Sequence, residues 1–205
     1  MLFGHEICNL DDWGRYFTDP HIFEPLVKYI CNRHHIPYSG IGPCTPGSNA
    51  VFRMGGYIMK IFAPEESEIG GENDFLTEKY GIARANRLGI PAPRLVADGV
   101  LKDSYIFRYL VLTYIDGQSL HSLSPQLSSS ERIEIGRRLR EIIGQMDTPC
   151  DRFNNHTLYS RTVEDKWTVF PSCFQKERTE YLRAHSTRTP VYIHGDLCAD
   201  NMMLD

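Results

Sequence analysis

Two apolar runs, Ala50-Val51-Phe52-Arg53-Met54 and Tyr57-Ile58-Met59-Lys60-Ile61-Phe62, are separated only by Gly55-Gly56. A glycine pair between β-rich runs supplies the positive backbone angles of a tight hairpin, so this stretch commits the chain to an antiparallel sheet. Within it, Lys60 stands between Met59 and Ile61 in an otherwise apolar strand. Strand side chains alternate, which puts Lys60 on the face of Ile58 and Phe62, pointing inward. A buried ammonium requires an anion, either a phosphate or a carboxylate. The competing reading is an edge-strand lysine whose head reaches solvent. The approach to the hairpin is rich in breakers, Ser39-Gly40-Ile41-Gly42-Pro43 and then Thr45-Pro46-Gly47-Ser48-Asn49. It reads either as a flexible turn or as a loop, around Ser48 and Asn49, whose N–H groups lie over phosphates.

After a polar, disordered loop from Ala63 to Gly71, Glu72-Asn73-Asp74 opens a helix that continues to Leu88 and stops at Gly89-Ile90-Pro91. Phe75, Ile82, Ala85 and Leu88 mark its apolar face, and Glu78 borders that face. Glu78 is therefore the first candidate partner for Lys60, and Glu72 the second; a solvated surface glutamate is the alternative. Pro91-Ala92-Pro93, Leu95–Val100 and Tyr105–Tyr114 are further strand candidates. With the hairpin they make a sheet of about five strands crossed by one helix, an α+β arrangement. Ile115-Asp116-Gly117 then breaks the pattern.

The flanks read as helical. Within residues 1–38, Asp19-Pro20 starts a helix and Glu24-Pro25 restarts it, with Phe23, Leu26, Val27, Ile30 and Cys31 facing a core and a stop before Pro37. Cys31, His34 and His35 lack a fourth ligand nearby, so a zinc site is the weaker reading of them. Past the break, Ser128 and Glu131 form a capping box for a helix over 131–146, with Ile135, Leu139, Ile142, Ile143 and Met146 as its buried stripe. Arg137, Arg138 and Arg140 on its outer side read as a solvated surface. Residues 148–172 are irregular and carry no assigned role; a helix over 173–185 follows, and Thr189-Pro190 leads into a short β run, Val191-Tyr192-Ile193.

Composition excludes several classes. A net charge of -4 gives no basic stripe for nucleic acid. The six cysteines are scattered without a C-x-x-C pair, as in reduced intracellular proteins. No apolar run reaches membrane-span length, and His5, Glu6, Asp11 and Asp12 do not suit a signal peptide. The expected location is cytoplasmic, without nucleic-acid or membrane partners.

After the last β run come His194-Gly195-Asp196 and, five positions beyond Asp196, Asn201. The spacing suits a loop whose aspartate accepts a proton from an attacking hydroxyl while an amide oxygen reaches a metal ion. Together with the Gly/Ser/Asn hairpin, Lys60, Glu78, Pro91-Ala92-Pro93 and Tyr114-Ile115-Asp116-Gly117, taken in that order, this loop resembles the aminoglycoside phosphotransferase and choline kinase-like families of the protein-kinase-like fold. The resemblance covers roughly Gly47 to Asp205. It implies residues 1–114 as a nucleotide-binding lobe with 1–38 as a helical extension, 115–117 as the inter-lobe link, and 118–205 as the first part of a helical lobe.

It further implies transfer of the terminal phosphoryl group of ATP or GTP, with Mg²⁺, to a hydroxyl of a small molecule, aminoglycoside-type antibiotics being one acceptor class. Asp196 would orient or deprotonate that hydroxyl, Asn201 would bind metal, Lys60 held by Glu78 would grip phosphate, and His194 would brace the loop. Main-chain groups at Thr113 and Ile115 would read the base. The family also carries a second metal-binding aspartate after this loop, a role that neither Asp200 nor Asp205 fills, and an acceptor pocket built from later helices. Residues 1–205 are thus expected to be a fragment with little or no transfer activity, a homodimer among its expected states. The alternative function is a non-catalytic, nucleotide-binding scaffold protein.

Overall fold

A computed structural model describes residues 1–44, 47–69, 71–154, 165–185, 189 and 191–204. The expectations that fell on Thr45-Pro46, on 155–164, on Pro190 and on Asp205 lie outside the described residues.

Two helices open the chain. Helix α1 (Leu10–Tyr16) is capped by Asn9, whose side chain accepts from the Asp12 N–H at 3.0 Å. Helix α2 (Pro20–His34) has Asp19 as its cap and Pro20 in its first turn. Pro25 does not restart a helix as expected; it lies inside the continuous α2. A proline there forfeits only the bond to the His21 carbonyl, and His21 is exposed to solvent that can replace it. Meanwhile the whole expected stripe, Phe23, Leu26, Val27, Ile30 and Cys31, is buried. His35, in the left-handed region at φ 55°, ends the helix before Pro37. His34 Nε2 lies 2.8 Å from the Tyr109 hydroxyl and Cys31 Sγ lies 3.2 Å from Met54 Sδ, so both residues are occupied in packing.

Strands β1 (Gly42–Pro43), β2 (Ala50–Met54), β3 (Tyr57–Ile61), β4 (Leu95–Lys102) and β5 (Ile106–Thr113) form one antiparallel sheet in the order β1-β2-β3-β5-β4. The fifth strand is Gly42–Pro43, not the expected Pro91-Ala92-Pro93. Two prolines in three residues leave that segment only the Ala92 N–H to donate to a ladder, whereas a single proline is tolerated in a short edge strand. Register settles the two faces. Ala50, Phe52, Met54, Met59, Ile61, Tyr109 and Val111 pack against α1 and α2 in the main core. On the opposite face Ile58, Phe62, Leu110 and Leu112 pack with Phe75 and Ile82 of helix α3 (Glu72–Arg87). The sheet is covered on both sides, which is why Lys60 sits in an apolar run.

The loop leading to α3 is not disordered where it is described. Glu65–Ser67 form a 3-10 turn, and Ser67 is buried with its hydroxyl donating to the Pro64 carbonyl at 2.6 Å. At the far end of α3, Leu88 does not join the apolar face; it is 36% exposed. The turn at Gly89 (φ +70°) carries Ile90 into the core in its place, with Ala85, Met146 and Tyr192.

The chain start is strapped to the β4–β5 turn. Asp103 Oδ2 accepts the N–H groups of Leu2 and Phe3, both at 2.8 Å, and Phe3 is buried among Phe23, Tyr105 and Phe107. Burial acts to raise the Asp103 pKa, but the N–H groups of Phe3, Leu2 and Ser104 outweigh it and hold the carboxyl below its ordinary value. A depressed carboxyl contributes stability that is complete above about pH 4 and lost as pH falls through the folded value. Asp103→Ala is expected to cost about 1–3 kcal/mol in denaturant unfolding, because the Leu2 and Phe3 N–H groups at the chain start lose their acceptor. Its deficit relative to the parent should shrink in acid; a deficit constant from pH 7 to pH 2 contradicts this account.

Beyond the sheet, β6 (Gln118–Ser119) leads into the short helix α4 (Leu120–Leu123), then α5 (Ser129–Met146) and α6 (Ser172–His185). The Ser128/Glu131 capping box of α5 is formed. Its stripe is buried only at Met146; Ile135, Leu139 and Ile142 are half-buried and Ile143 is 47% exposed. Little of the described chain packs on that helix, and periodicity marks a face without supplying its cover. Arg137 pairs with Glu134 and Glu141, the solvated surface expected. Val191–Ile193 makes a single bridge, Pro149 to Val191, rather than a strand, and Ile193 is 65% exposed. Pro149 has no N–H with which to extend a ladder. The chain closes with β7 (Met203–Leu204), which pairs with β6. Among the described residues no helix is long and apolar enough to cross a membrane.

Candidate functional site

Lys60 and Glu78 meet. Lys60 Nζ lies 2.6 Å from Glu78 Oε2, and the two side chains are 22% and 30% exposed. The pair is therefore shielded from full screening yet open on one side to a ligand. Its geometry follows from the packing of α3. Phe75, one turn before Glu78, sets its ring edge-on against Phe62 at 5.6 Å and seats the helix on the sheet. Lys79 reaches Asp98 of β4 at 2.5 Å and fixes the helix sideways. Glu72, the second candidate partner, turns instead to Arg108 at 3.7 Å, which Glu65 also approaches at 3.3 Å.

The loop before β2 is braced at its end. The Asn49 side-chain oxygen accepts the Ala63 N–H at 3.1 Å, and the Ser48 carbonyl accepts the Trp13 indole N–H at 2.9 Å. Asn49 thus spends its amide oxygen on the exit of β3, while Ser48 stays exposed. At the end of β5 the Thr113 N–H donates to the Arg94 carbonyl at 3.0 Å, and its hydroxyl accepts the Arg94 N–H at 2.9 Å. Tyr114 donates its N–H to Gly56 at 2.9 Å and lies under the Arg53 guanidinium at 3.8 Å. Among the described residues the Ile115 backbone makes no hydrogen bond, so both its groups are available.

Asp196 and Asn201 are brought together in the final loop. Asn201 Nδ2 donates to the Asp196 carbonyl at 2.9 Å and to Asp196 Oδ2 at 3.0 Å. A 3-10 turn over Ala199–Asn201 folds the chain back so that these contacts close. Gly195 stands at φ +83°, a conformation that side chains rarely adopt, which explains a glycine between His194 and Asp196. His194 Nδ1 accepts the Asp196 N–H at 3.3 Å and braces the loop. The loop is anchored at both ends, by buried Tyr192 before it and after it by the β6–β7 pair with Leu120 N–H donating to the Met202 carbonyl at 2.8 Å.

Asn201 is exposed, and with its amide nitrogen donating to Asp196 its amide oxygen is the atom left to meet a ligand. An amide oxygen and the phosphates of a nucleotide are hard donors of the kind Mg²⁺ prefers. The donor chemistry fits, and among the described residues no cluster of three acidic, imidazole or thiol groups stands together.

Two positioning features escaped the sequence reading. The Tyr192 hydroxyl donates to the Gly81 carbonyl inside α3 at 2.8 Å, and Arg84 Nη2 donates to Thr148 Oγ1 and to the Pro149 carbonyl, both at 2.9 Å. The available signal was Gly81 itself, since a glycine inside a helix costs about 1 kcal/mol against alanine and often marks close packing.

The model of the phosphotransferase enzyme family matches residues 46–205. Comparison with curated proteins gives no match. The matched span contains the lysine–glutamate pair, residues 115–117 and the Asp196–Asn201 loop, and leaves α1, α2 and β1 outside. On that match, and on a kinase-like sheet crossed by one helix and followed by a helical region, the chain belongs to the phosphotransferase enzyme family.

Proposed function

We propose that this protein transfers the terminal phosphoryl group of ATP or GTP to a hydroxyl of a small molecule. The observation that carries the reading is the paired geometry of the loop, in which Asn201 orients the Asp196 carboxylate by a 3.0 Å hydrogen bond. Asp196 accepts the proton of the attacking hydroxyl, and the exposed loop leaves room for an acceptor beside it. Lys60, held in place by Glu78, neutralises phosphate oxygens and fixes the nucleotide's orientation. The Thr113 carbonyl and the Ile115 main chain face the base. Mg²⁺ bound at Asn201 would supply charge neutralisation to the phosphates. Multiply hydroxylated cationic acceptors of the aminoglycoside kind come first in an acceptor screen, followed by metabolic alcohols.

A second reading is nucleotide binding without turnover, and the Lys60–Glu78 pair suits either. Nucleotide binding is common to both and is tested first. With ATP or GTP plus Mg²⁺ at about a hundred times Kd, linkage predicts about 2.7 kcal/mol of stabilisation. For a chain of this size that is a rise in Tm of roughly 5–10 °C. No shift with either nucleotide rejects both readings. A shift with phosphate transfer supports the first, and a shift without transfer supports the second.

A further inference from the structure

Helix α3 carries Glu78 on its front half, and its rear half is clamped to the segments that precede the Asp196 loop. The Tyr192 ring is buried, and its hydroxyl donates to the Gly81 carbonyl at 2.8 Å. Gly81 lies one turn past Glu78, and Tyr192 two residues before His194. Around this bond Tyr80 stacks on Phe153 with ring centres 4.0 Å apart, and the Arg84 guanidinium lies 5.5 Å from the centre of the Tyr192 ring. Arg84 then reaches Thr148 and Pro149, the residues whose backbone pairs with Tyr192 and Val191. Ala85, Ile90 and Met146 complete a small core separate from the two on the sheet. The Lys60–Glu78 pair and the Asp196–Asn201 pair thus sit on segments joined at the rear of α3, where Tyr192 makes the contact nearest to both.

We infer that Tyr192 is a positioning residue, a clasp that makes α3 and the His194–Asn201 loop move as one unit. The geometry argues for a mechanical role. A hydrogen bond to a main-chain carbonyl inside a helix constrains the rotation of that helix, and Glu78 is on the adjoining turn. A Cβ at Gly81 would stand 3.6 Å from the hydroxyl, ordinary van der Waals contact, so the bond depends on the Gly81 carbonyl and not on the missing side chain. Burial pushes the Tyr192 pKa above its ordinary value, against the pull of the Arg84 charge, so the hydroxyl remains a donor throughout the neutral range. The consequence for catalysis rests on the phosphotransferase reading; the coupling itself does not.

Tyr192→Phe removes the hydroxyl and keeps the ring that fills the core. In the ligand-free full chain, hydrogen–deuterium exchange should quicken together in α3 around Gly81–Ala85 and in the loop from His194 to Asn201. Unchanged exchange in the loop overturns the inference, whatever the variant does with nucleotide. Where the parent turns over, Tyr192→Phe should lower kcat roughly threefold to tenfold, the value of one neutral hydrogen bond, with KM for nucleotide nearly unchanged. A rise in KM with kcat retained also overturns it, because that pattern belongs to a lost binding contact. A parent that binds no nucleotide, yet shows coupled exchange, rejects the phosphotransferase reading and leaves the clasp intact.

Discussion

Asp196→Asn is expected to lower phosphate transfer by about 10²–10⁴-fold while leaving nucleotide affinity nearly unchanged. The amide keeps the size of the carboxylate and can still accept the Asn201 Nδ2–H, so the loop retains its shape. What it loses is basicity, because a neutral amide takes no proton from an incoming hydroxyl. Affinity should hold because the contacts of Asp196 lie within its own loop, to His194, Cys198 and Asn201. The measurement is kcat in the full chain with its best acceptor, beside Kd for the same nucleotide. Transfer at the parent rate would refute the role assigned to Asp196. A large loss of nucleotide affinity would mean that the carboxylate belongs to the binding site rather than to the chemistry.

The parts of this site written in local code were legible in advance. Strand alternation turned Lys60 to the face of Ile58 and Phe62, and helical spacing placed Glu78 at the edge of the Phe75 face, so their meeting followed from two short-range periodicities. The Asp19 cap and the Ser128/Glu131 box are local for the same reason. The failures lie where the outcome depends on distant partners. Val191–Ile193 has strand-like residues, but among the described residues its bridge partner is a proline. Ile143 sits on a correct apolar stripe that the described residues leave partly uncovered. Pairing of Gln118–Ser119 with Met203–Leu204, or of the Tyr192 hydroxyl with Gly81, joins positions far apart in sequence through very few atoms, and no periodicity announces it. The N-terminal helices showed their apolar stripe, yet nothing in that stripe said which face of the sheet it would cover.

Lys60→Met should lower transfer by about 10²–10³-fold, the usual effect of removing a preorganised charge from a developing anion. The fold should survive. Met fits a strand flanked by Met59 and Ile61, and Glu78, left without its partner, is 30% exposed and can be hydrated. A fully buried partner would make the same substitution far more damaging. Glu78→Gln tests how Lys60 is held. It keeps a hydrogen-bond acceptor 2.6 Å from the ammonium but removes the charge, so its effect should be smaller, about tenfold. Because Glu78 acts only through Lys60, the double variant should be no worse than Lys60→Met alone. In a double-mutant cycle that non-additivity corresponds to a coupling of roughly 0.5–3 kcal/mol. Additive losses would show instead that Glu78 has a role of its own, and the pair would then be two contacts that happen to touch rather than one phosphate-holding device.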